Sequence, residues 1–459
     1  MKKPPVIAIF DIGKTNKKLL LFDQQYQIVS EYSARLEESV DEDGYPCENL
    51  VSLQGFVLDS LAKARQDSQL DLKAVNFASY GASFVLLDQD GKPAAPLYNY
   101  LKPYDPILQN KFYSEYGGKT TISHQTASPA LGSLNSGLQL YRLKAEKPEV
   151  YKNIYKALHL PQYLSFLITK RYVSDKTSIG CHTALWDFRK NDYHHWVQQE
   201  GITEKLAPLV YAGSCFPGRI KEDQLISGIG LHDSSAALIP YLVSFPEPFV
   251  LLSTGTWCIS LNPFNQEPLR TYELEKDCLS YLSYEGKPVK ASRFFGGHFY
   301  ETELKRIAYH FNLDPAAFFS IPYNKDEITI ALSGRTMPEF LRDEAGKTLL
   351  HFDTQDLSAF KTAEQALYQL IASLIVHQHF STSLILGRTG VQRLFVDGGF
   401  SNNAIYMNLL AAAFPELEVY AASMPQATAL GAALVIHSCW NDQSVPEKLV
   451  GLKMYRPDF

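Results

Sequence analysis

The chain has 459 residues, 46% of them hydrophobic and 20% charged; this ordinary globular composition in so long a chain predicts two domains, each with its own core. Its 43 basic and 49 acidic residues give a formal net charge of −6, and no Lys/Arg block forms a stripe able to neutralise a phosphate backbone, which argues against nucleic acid as a partner. No run approaches the roughly 18 apolar residues of a membrane span, Asp11 stops the apolar run that follows the opening lysines, and six scattered cysteines without a CxxC pair predict reduced thiols in a soluble, cytoplasmic protein.

In chain order, residues 6–10 predict a strand, followed by a polar turn, a second strand through Phe22 and a third from about Gln27: an antiparallel meander. Residues 73–87 contain strand-like runs around Tyr80-Gly81-Ala82-Ser83, residues 91–132 read mostly as loop, and residues 148–170 read as helix, with Tyr163, Phe166 and Leu167 on one buried face. Two prolines in Ser244-Phe245-Pro246-Glu247-Pro248 interrupt apolar text and predict a boundary, giving domains 1–245 and 246–459. The meander pattern then recurs: residues 249–252 are apolar, Ser253-Thr254-Gly255-Thr256 is a small-residue turn, and residues 257–261 are apolar again. Ala363, Leu367, Leu370, Ile371, Leu374 and Ile375 stand at helical spacing, and a strand over 393–396 and a helix from about Asn403 follow. Helices alternating with strands on two meanders predict an α/β sandwich in each half.

Four segments combine residues suited to phosphate and hydroxyl chemistry. Asp11-Ile12-Gly13-Lys14-Thr15-Asn16-Lys17-Lys18 places a carboxylate, a glycine, polar donors and cations in one turn; backbone N–H groups, Thr15 and a lysine can bind phosphate oxygens there, and Asp11 can hold a magnesium ion through water. Ser253-Thr254-Gly255-Thr256 repeats the small, hydroxylated turn, so the pair can grip one polyphosphate from two sides. In the run from Gly228 to Ala237, Asp233 falls at a predicted helix start, where a carboxylate caps the helix and, beside a substrate hydroxyl, can accept a proton. Asp397-Gly398-Gly399-Phe400-Ser401-Asn402-Asn403 runs from strand to helix, with glycines that let a flat purine approach the backbone. Each segment taken singly also reads as an ordinary turn or cap. His377-x-His379 and His194-His195 lack companion ligands at zinc spacing.

In their order along the chain the four segments resemble the FGGY family of carbohydrate kinases: FDIGKTNKKLLLFD is similar to its first phosphate loop, LHDSSAA to its catalytic-aspartate segment, STGTW to its second phosphate loop, and DGGFSNNAIYMNLLAAAF to its adenosine segment. The likeness extends over essentially the whole chain. It implies two actin-like (ribonuclease H-like) α/β domains with an ATP and sugar cleft between them, and ATP with Mg2+ as cofactors. It implies Asp233 as general base and possible metal contact. Asp11, Gly13, Lys14, Thr15, Asn16, Lys18, Gly255, Thr256, Gly398, Gly399 and Asn403 would surround the nucleotide. The sugar would lie against Gly81, Ala82, Ser83 and Phe84, with His232 beside the reacting hydroxyl. GASFVLLDQDGKP and HDSSA look closest to rhamnulose and fuculose kinases, with xylulose or ribulose as alternatives. Lys14, Asn408 and Ala412 depart from the family's usual threonine, glutamine and aspartate. A homodimer is a further expectation. The competing readings are an actin- or chaperone-like ATPase without a sugar substrate, and a sugar-sensing protein that has lost turnover.

Overall fold

A computed structural model describes residues 3–219, 225–345, 352–423 and 426–456. Both meanders form, and each becomes part of a seven-stranded sheet, the first at one end of its sheet. In the first, Pro5–Ile12 pairs antiparallel with Lys17–Asp23, which pairs with Ile28–Ala34. On its other side Pro5–Ile12 runs parallel to Asp71–Ser79, itself parallel to Ile226–Gly228 and Leu231–His232. The second sheet repeats this plan: Phe249–Thr254 is antiparallel to Cys258–Asn262 and parallel to Arg393–Gly398. The internal repeat read from the sequence is therefore a repeat of topology.

Parallel pairing brings the carboxyl ends of several strands to one edge, where ligands bind in open α/β sheets. In the first sheet Asp11 stands opposite Ala78, Ile12 opposite Ser79, and His232 opposite Ser79. The turn after Ile12, the Tyr80–Ser83 turn and Asp233 thus emerge together, although their sequence positions span more than two hundred residues. Thr254 stands opposite Gly398 in the second sheet, which places the second small-residue turn against the Gly398-Gly399 segment.

The boundary near residue 245 does not divide the cores cleanly. The helix Ala427–Leu434, from the chain's last fifth, packs on the first sheet, where Ala429, Leu430, Ala432 and Ala433 join Ile7, Ile9, Ala74 and Ala78 in one buried cluster. It also lies against the helix Asp233–Ser244, so closely that a Cβ on Gly431 would sit 1.8 Å from the Ala236 carbonyl oxygen. Behind the second sheet the helix Ala363–Leu386 is buried along most of its length, as its apolar spacing predicts.

Several local expectations require correction. Residues 148–170 are a short helix, Pro148–Asn153, then a strand, Lys156–His159, then a helix, Leu160–Thr169; the strand forms because Phe84–Leu87 offers it an antiparallel partner. Within 91–132 two helices form, Pro106–Glu115 and Lys119–Thr126, the first capped by the Asp105 carboxylate with Pro106 at its start. The expectation of reduced thiols fails for one pair: Cys215 and Cys439 are disulfide-bonded across a sequence separation of 224, because the helix carrying Cys439 folds back on the first sheet. Cys47, Cys181, Cys258 and Cys278 are free and buried. Among the described residues no helix is long and apolar enough to cross a membrane.

Candidate active site

Asp233 is the first residue of its helix and His232 occupies the cap position, one place earlier than a capping role for Asp233 would need. The carboxylate instead accepts from the Ser234 backbone N–H at 2.6 Å and its hydroxyl at 3.3 Å. His232 Nε2 lies 3.1 Å from Asp233 Oδ1 and 3.0 Å from Cys181 Sγ, while Nδ1 faces the Ser235 hydroxyl at 3.3 Å. Burial holds the imidazole neutral, with its pKa pushed down to about 3. A neutral ring has one N–H; the Ser235 hydroxyl spends its hydrogen on the Leu282 carbonyl at 3.0 Å, so it accepts from Nδ1–H, and Nε2 accepts from the Cys181 thiol.

About a third of the Asp233 side chain, 34%, is open to the cleft, yet the surrounding protein desolvates the carboxyl and raises its pKa to about 6, against the lowering effect of the Ser234 bonds. Asp11 is raised further, to about 7, by burial first and then by repulsion from Asp233, with Lys18 opposing. A carboxylate that feels the charge of a second one suits a divalent cation, which removes the repulsion. Magnesium therefore fits the donor set these residues provide.

The first turn is held in shape by ion pairs. Lys17, 1% exposed, pairs with Glu48 at 2.9 Å and donates to the carbonyls of Gly13 and Lys14 at 3.2 and 2.9 Å. Tyr80, which opens the neighbouring turn, donates to the same Glu48 at 3.0 Å. Sequence reasoning missed this anchor, though Lys17 shares its strand face with buried Leu19 and Leu21. Lys14 is drawn aside by Glu38 at 2.6 Å, Lys18 reaches Gln426 at 3.0 Å, and Asn16 accepts from Arg35 at 3.1 Å. Thr15 and Asn16 are exposed at the turn's tip, and Gly13 N–H closes it onto the Asn16 carbonyl at 3.0 Å.

Gly81, Ala82 and Ser83 form the turn beside Asp233. A Cβ on Gly81 would come within 2.8 Å of Cys181 Sγ and 3.1 Å of His232, so only glycine leaves this wall intact. Ala82 has a left-handed backbone, φ 63°, and its carbonyl accepts from Gln139 at 2.8 Å. Ser83 is buried at 1% exposure with its hydroxyl unpartnered, and Phe84 stacks on His159 behind the turn.

In the second lobe a cavity of about 560 Å³ is lined by Thr254, Gly255, Gly297, Tyr300, Gly399, Asn403 and their neighbours. Of the residues expected around adenosine, Gly399 and Asn403 line it, and Gly398 does not. Gly398 lies against the Thr254 carbonyl, 1.9 Å from where its Cβ would stand, with φ 89°. The Asn403 side chain caps the helix Ala404–Ala413 through the Tyr406 N–H at 3.0 Å. Thr254 fastens the segment, donating to the Asp397 carbonyl at 2.6 Å and accepting from Phe400 N–H at 3.0 Å. Gly255 and Thr256 are exposed at the mouth. Of the two remaining departures, the Asn408 amide donates to the Ala404 carbonyl at 2.8 Å and Ala412 is buried.

Residues 6–235 match the FGGY family of carbohydrate kinases, N-terminal domain, and residues 246–444 match carbohydrate kinase FGGY, C-terminal domain. A rhamnulokinase of Mannheimia succiniciproducens is 24% identical over 274 residues, 55% of this chain and 52% of the relative. An L-fuculokinase of Salmonella typhi is 22% identical over 278 residues, 56% of each. These alignments span about half the length of the curated relatives. A carbohydrate kinase from Novosphingobium aromaticivorans superposes with TM-score 0.79 at 24% identity over 99% of this chain and 95% of the other. A xylulose kinase from Lactobacillus acidophilus does so with TM-score 0.78 at 15% identity over 99% and 94%. The fold is the two-domain, actin-like α/β fold that the sequence led us to expect, and the chain belongs to the FGGY family of carbohydrate kinases.

Proposed function

We propose that the protein transfers the terminal phosphoryl group of ATP to a hydroxyl of a small sugar, with Asp233 as general base. The observation that carries this reading is the meeting of Asp233, oriented by Ser234 and flanked by His232, with Asp11 of the first turn at the carboxyl ends of neighbouring strands. The sugar hydroxyl would lie against the Gly81 wall and give its proton to Asp233 as its oxygen attacks in line. A carboxyl whose pKa is near 6 is ionised at neutral pH and accepts a proton more readily than an ordinary aspartate. Lys17 keeps the Gly13 and Lys14 carbonyls turned inward, leaving Thr15 and the N–H groups other than that of Gly13 for phosphate oxygens. The nucleoside would occupy the 560 Å³ cavity beside Gly399 and Asn403. Magnesium, held near Asp11 through water with Asp233 close by, would neutralise phosphate charge.

A ketose is the first choice of substrate, of the L-rhamnulose or L-fuculose type, supported by the rhamnulokinase and fuculokinase relatives; a xylulose-type sugar is the second, supported by the xylulose kinase neighbours. ADP release by the purified protein with a panel of ketoses, polyols and glycerol tests both. Release without any sugar would instead favour a plain ATPase. Asp233→Asn is expected to lower sugar-dependent turnover about 10²- to 10⁴-fold or more with ATP binding retained; full activity in a folded variant would remove Asp233 from the role.

A further inference from the structure

The second lobe also faces the Asp233 pocket. On the strand Pro288–Phe294, Val289 and Ala291 point into a buried cluster shared with Cys181, Leu238 and Tyr241. Side chains alternate along a strand, so Arg293 continues that face at the strand's cleft end. Its register partner is Ile259, two residues beyond exposed Trp257 in the second phosphate-type turn. The guanidinium carbon stands 5.3 Å from the Trp257 ring centre.

Arg293 is held firmly. Its side chain is 10% exposed, and its Nε and Nη2 donate to Asp277 Oδ2 and Oδ1 at 2.8 and 3.1 Å. On the pocket side stands Tyr281, whose ring centre is 5.3 Å from that of His232 and 6.1 Å from that of His182. Cys181, in the same buried cluster as Val289 and Ala291 of Arg293's strand face, lies 3.0 Å from His232 Nε2. The residue therefore bridges the phosphate-type turn and the wall against which His232 and Asp233 are set.

A guanidinium has five N–H bonds, and two are committed to Asp277. The Asp277 side chain, 35% exposed, can accept further hydrogen bonds. The pair carries no net charge, so it offers a donor edge and an acceptor edge side by side without favouring an anion. Neighbouring hydroxyls need this combination, one accepting from arginine and one donating to aspartate. A partly buried ion pair is by itself poor value for stability.

We propose that Arg293 and Asp277 are the second lobe's sugar-recognition element, gripping two neighbouring hydroxyls of a neutral acceptor sugar other than the one that reacts. This rests on the sugar-kinase reading above. It makes domain closure part of substrate selection, because the pair reaches the sugar only with the lobes together.

The test uses Arg293→Gln, Arg293→Lys and Asp277→Asn in the full chain, with the best acceptor from the ketose panel. Sugar KM, and sugar Kd by calorimetry, are expected to rise about 10- to 100-fold, the effect of losing one or two charge-assisted hydrogen bonds, with ATP KM unaltered. Lysine keeps the charge but loses the fork, so it should behave like glutamine. A substrate analogue lacking the gripped hydroxyl should bind wild type and variants alike. Unchanged sugar KM in any folded variant overturns the proposal, as does a parallel rise in ATP KM, which would mean the pair only braces the Trp257 turn. Should Arg293→Gln fail to fold, Asp277→Asn and Arg293→Lys give the same readout. Sugar turnover with unchanged sugar KM sinks the pair alone; no sugar-dependent ADP release by wild type sinks the kinase reading with it.

Discussion

The two small-residue turns occupy equivalent places in their sheets and are built by opposite means. The first, at 11–18, is held by charge: Lys17 is buried against Glu48 and pulls two loop carbonyls toward itself, while Lys14 and Lys18 are tethered outside. The second, at 253–257, has no ionisable residue. It takes its shape from close backbone approach, with Gly297 and Gly398 pressed on the carbonyls of Gly255 and Thr254. A turn can thus be fixed by a satisfied buried cation or by the absence of side chains. The first solution fails when one partner is removed, and the second when anything is added.

The largest expected effect follows from the first solution. Lys17→Met leaves Glu48, 4% exposed, without its cation, and breaking a buried pair costs about 3–5 kcal/mol. Urea unfolding should show that loss, and Lys17→Met combined with Glu48→Gln should recover much of it. An unchanged midpoint in the single variant would mean that charge does not hold this turn.

The second turn should respond to addition. A Cβ on Gly297 would lie 1.8 Å from the Gly255 carbonyl oxygen, so Gly297→Ala must displace the turn at the mouth of the cavity. Overpacking of this kind costs about 1–3 kcal/mol, and ATP KM should rise while sugar KM stays constant. Equal ATP KM for wild type and variant would remove close approach as the shaping force.

The same contrast explains what the sequence made legible. Hairpins, small-residue turns and the 363–386 helix announce themselves through period and composition; Asp233 stood out only through the order of the four segments, since its own text reads as a helix cap, a place that His232 fills. Lys17 has a local sign, since strand parity puts it with Leu19 and Leu21, but its partner Glu48 is thirty-one residues away and visible only once folded. Arg293 shares its parity with Val289 and Ala291 in the same way, and Tyr281 reaches His232 only across the lobes. The strand Lys156–His159 was hidden because its existence depends on Phe84–Leu87, although Pro161, near the start of the next helix, marked a break. Long-range pairing decided each of these places.

A smaller effect comes from the carboxylate that the first turn presents. Asp11 has its folded pKa raised from 3.8 to about 7, so well below 3.8 both folded and unfolded forms are protonated and it contributes nothing. As pH rises through this window the unfolded chain ionises first and the folded state loses stability. Asp11→Asn does not titrate. In the absence of nucleotide and metal it should therefore melt higher than wild type at pH 8, by about 2 °C or more, with the gap closing as the pH falls below the unfolded value of 3.8. A variant less stable at pH 8 would show that Asp11 is favourably compensated in the resting protein.

The smallest effect is expected at the tethered edge. Lys14 is one of the departures that the family resemblance implied, and the sequence left open whether it adds a phosphate contact or crowds the loop. Glu38 holds it at 2.6 Å with the two side chains 25% and 45% exposed, and such a pair is worth about 0–1 kcal/mol. Lys14→Ala should shift the unfolding midpoint by less than about 0.5 kcal/mol and ATP KM by less than about 3-fold. A tenfold loss of ATP affinity that fades at high salt would place Lys14 on the phosphates, and the first turn would then be charged for binding as well as for shape.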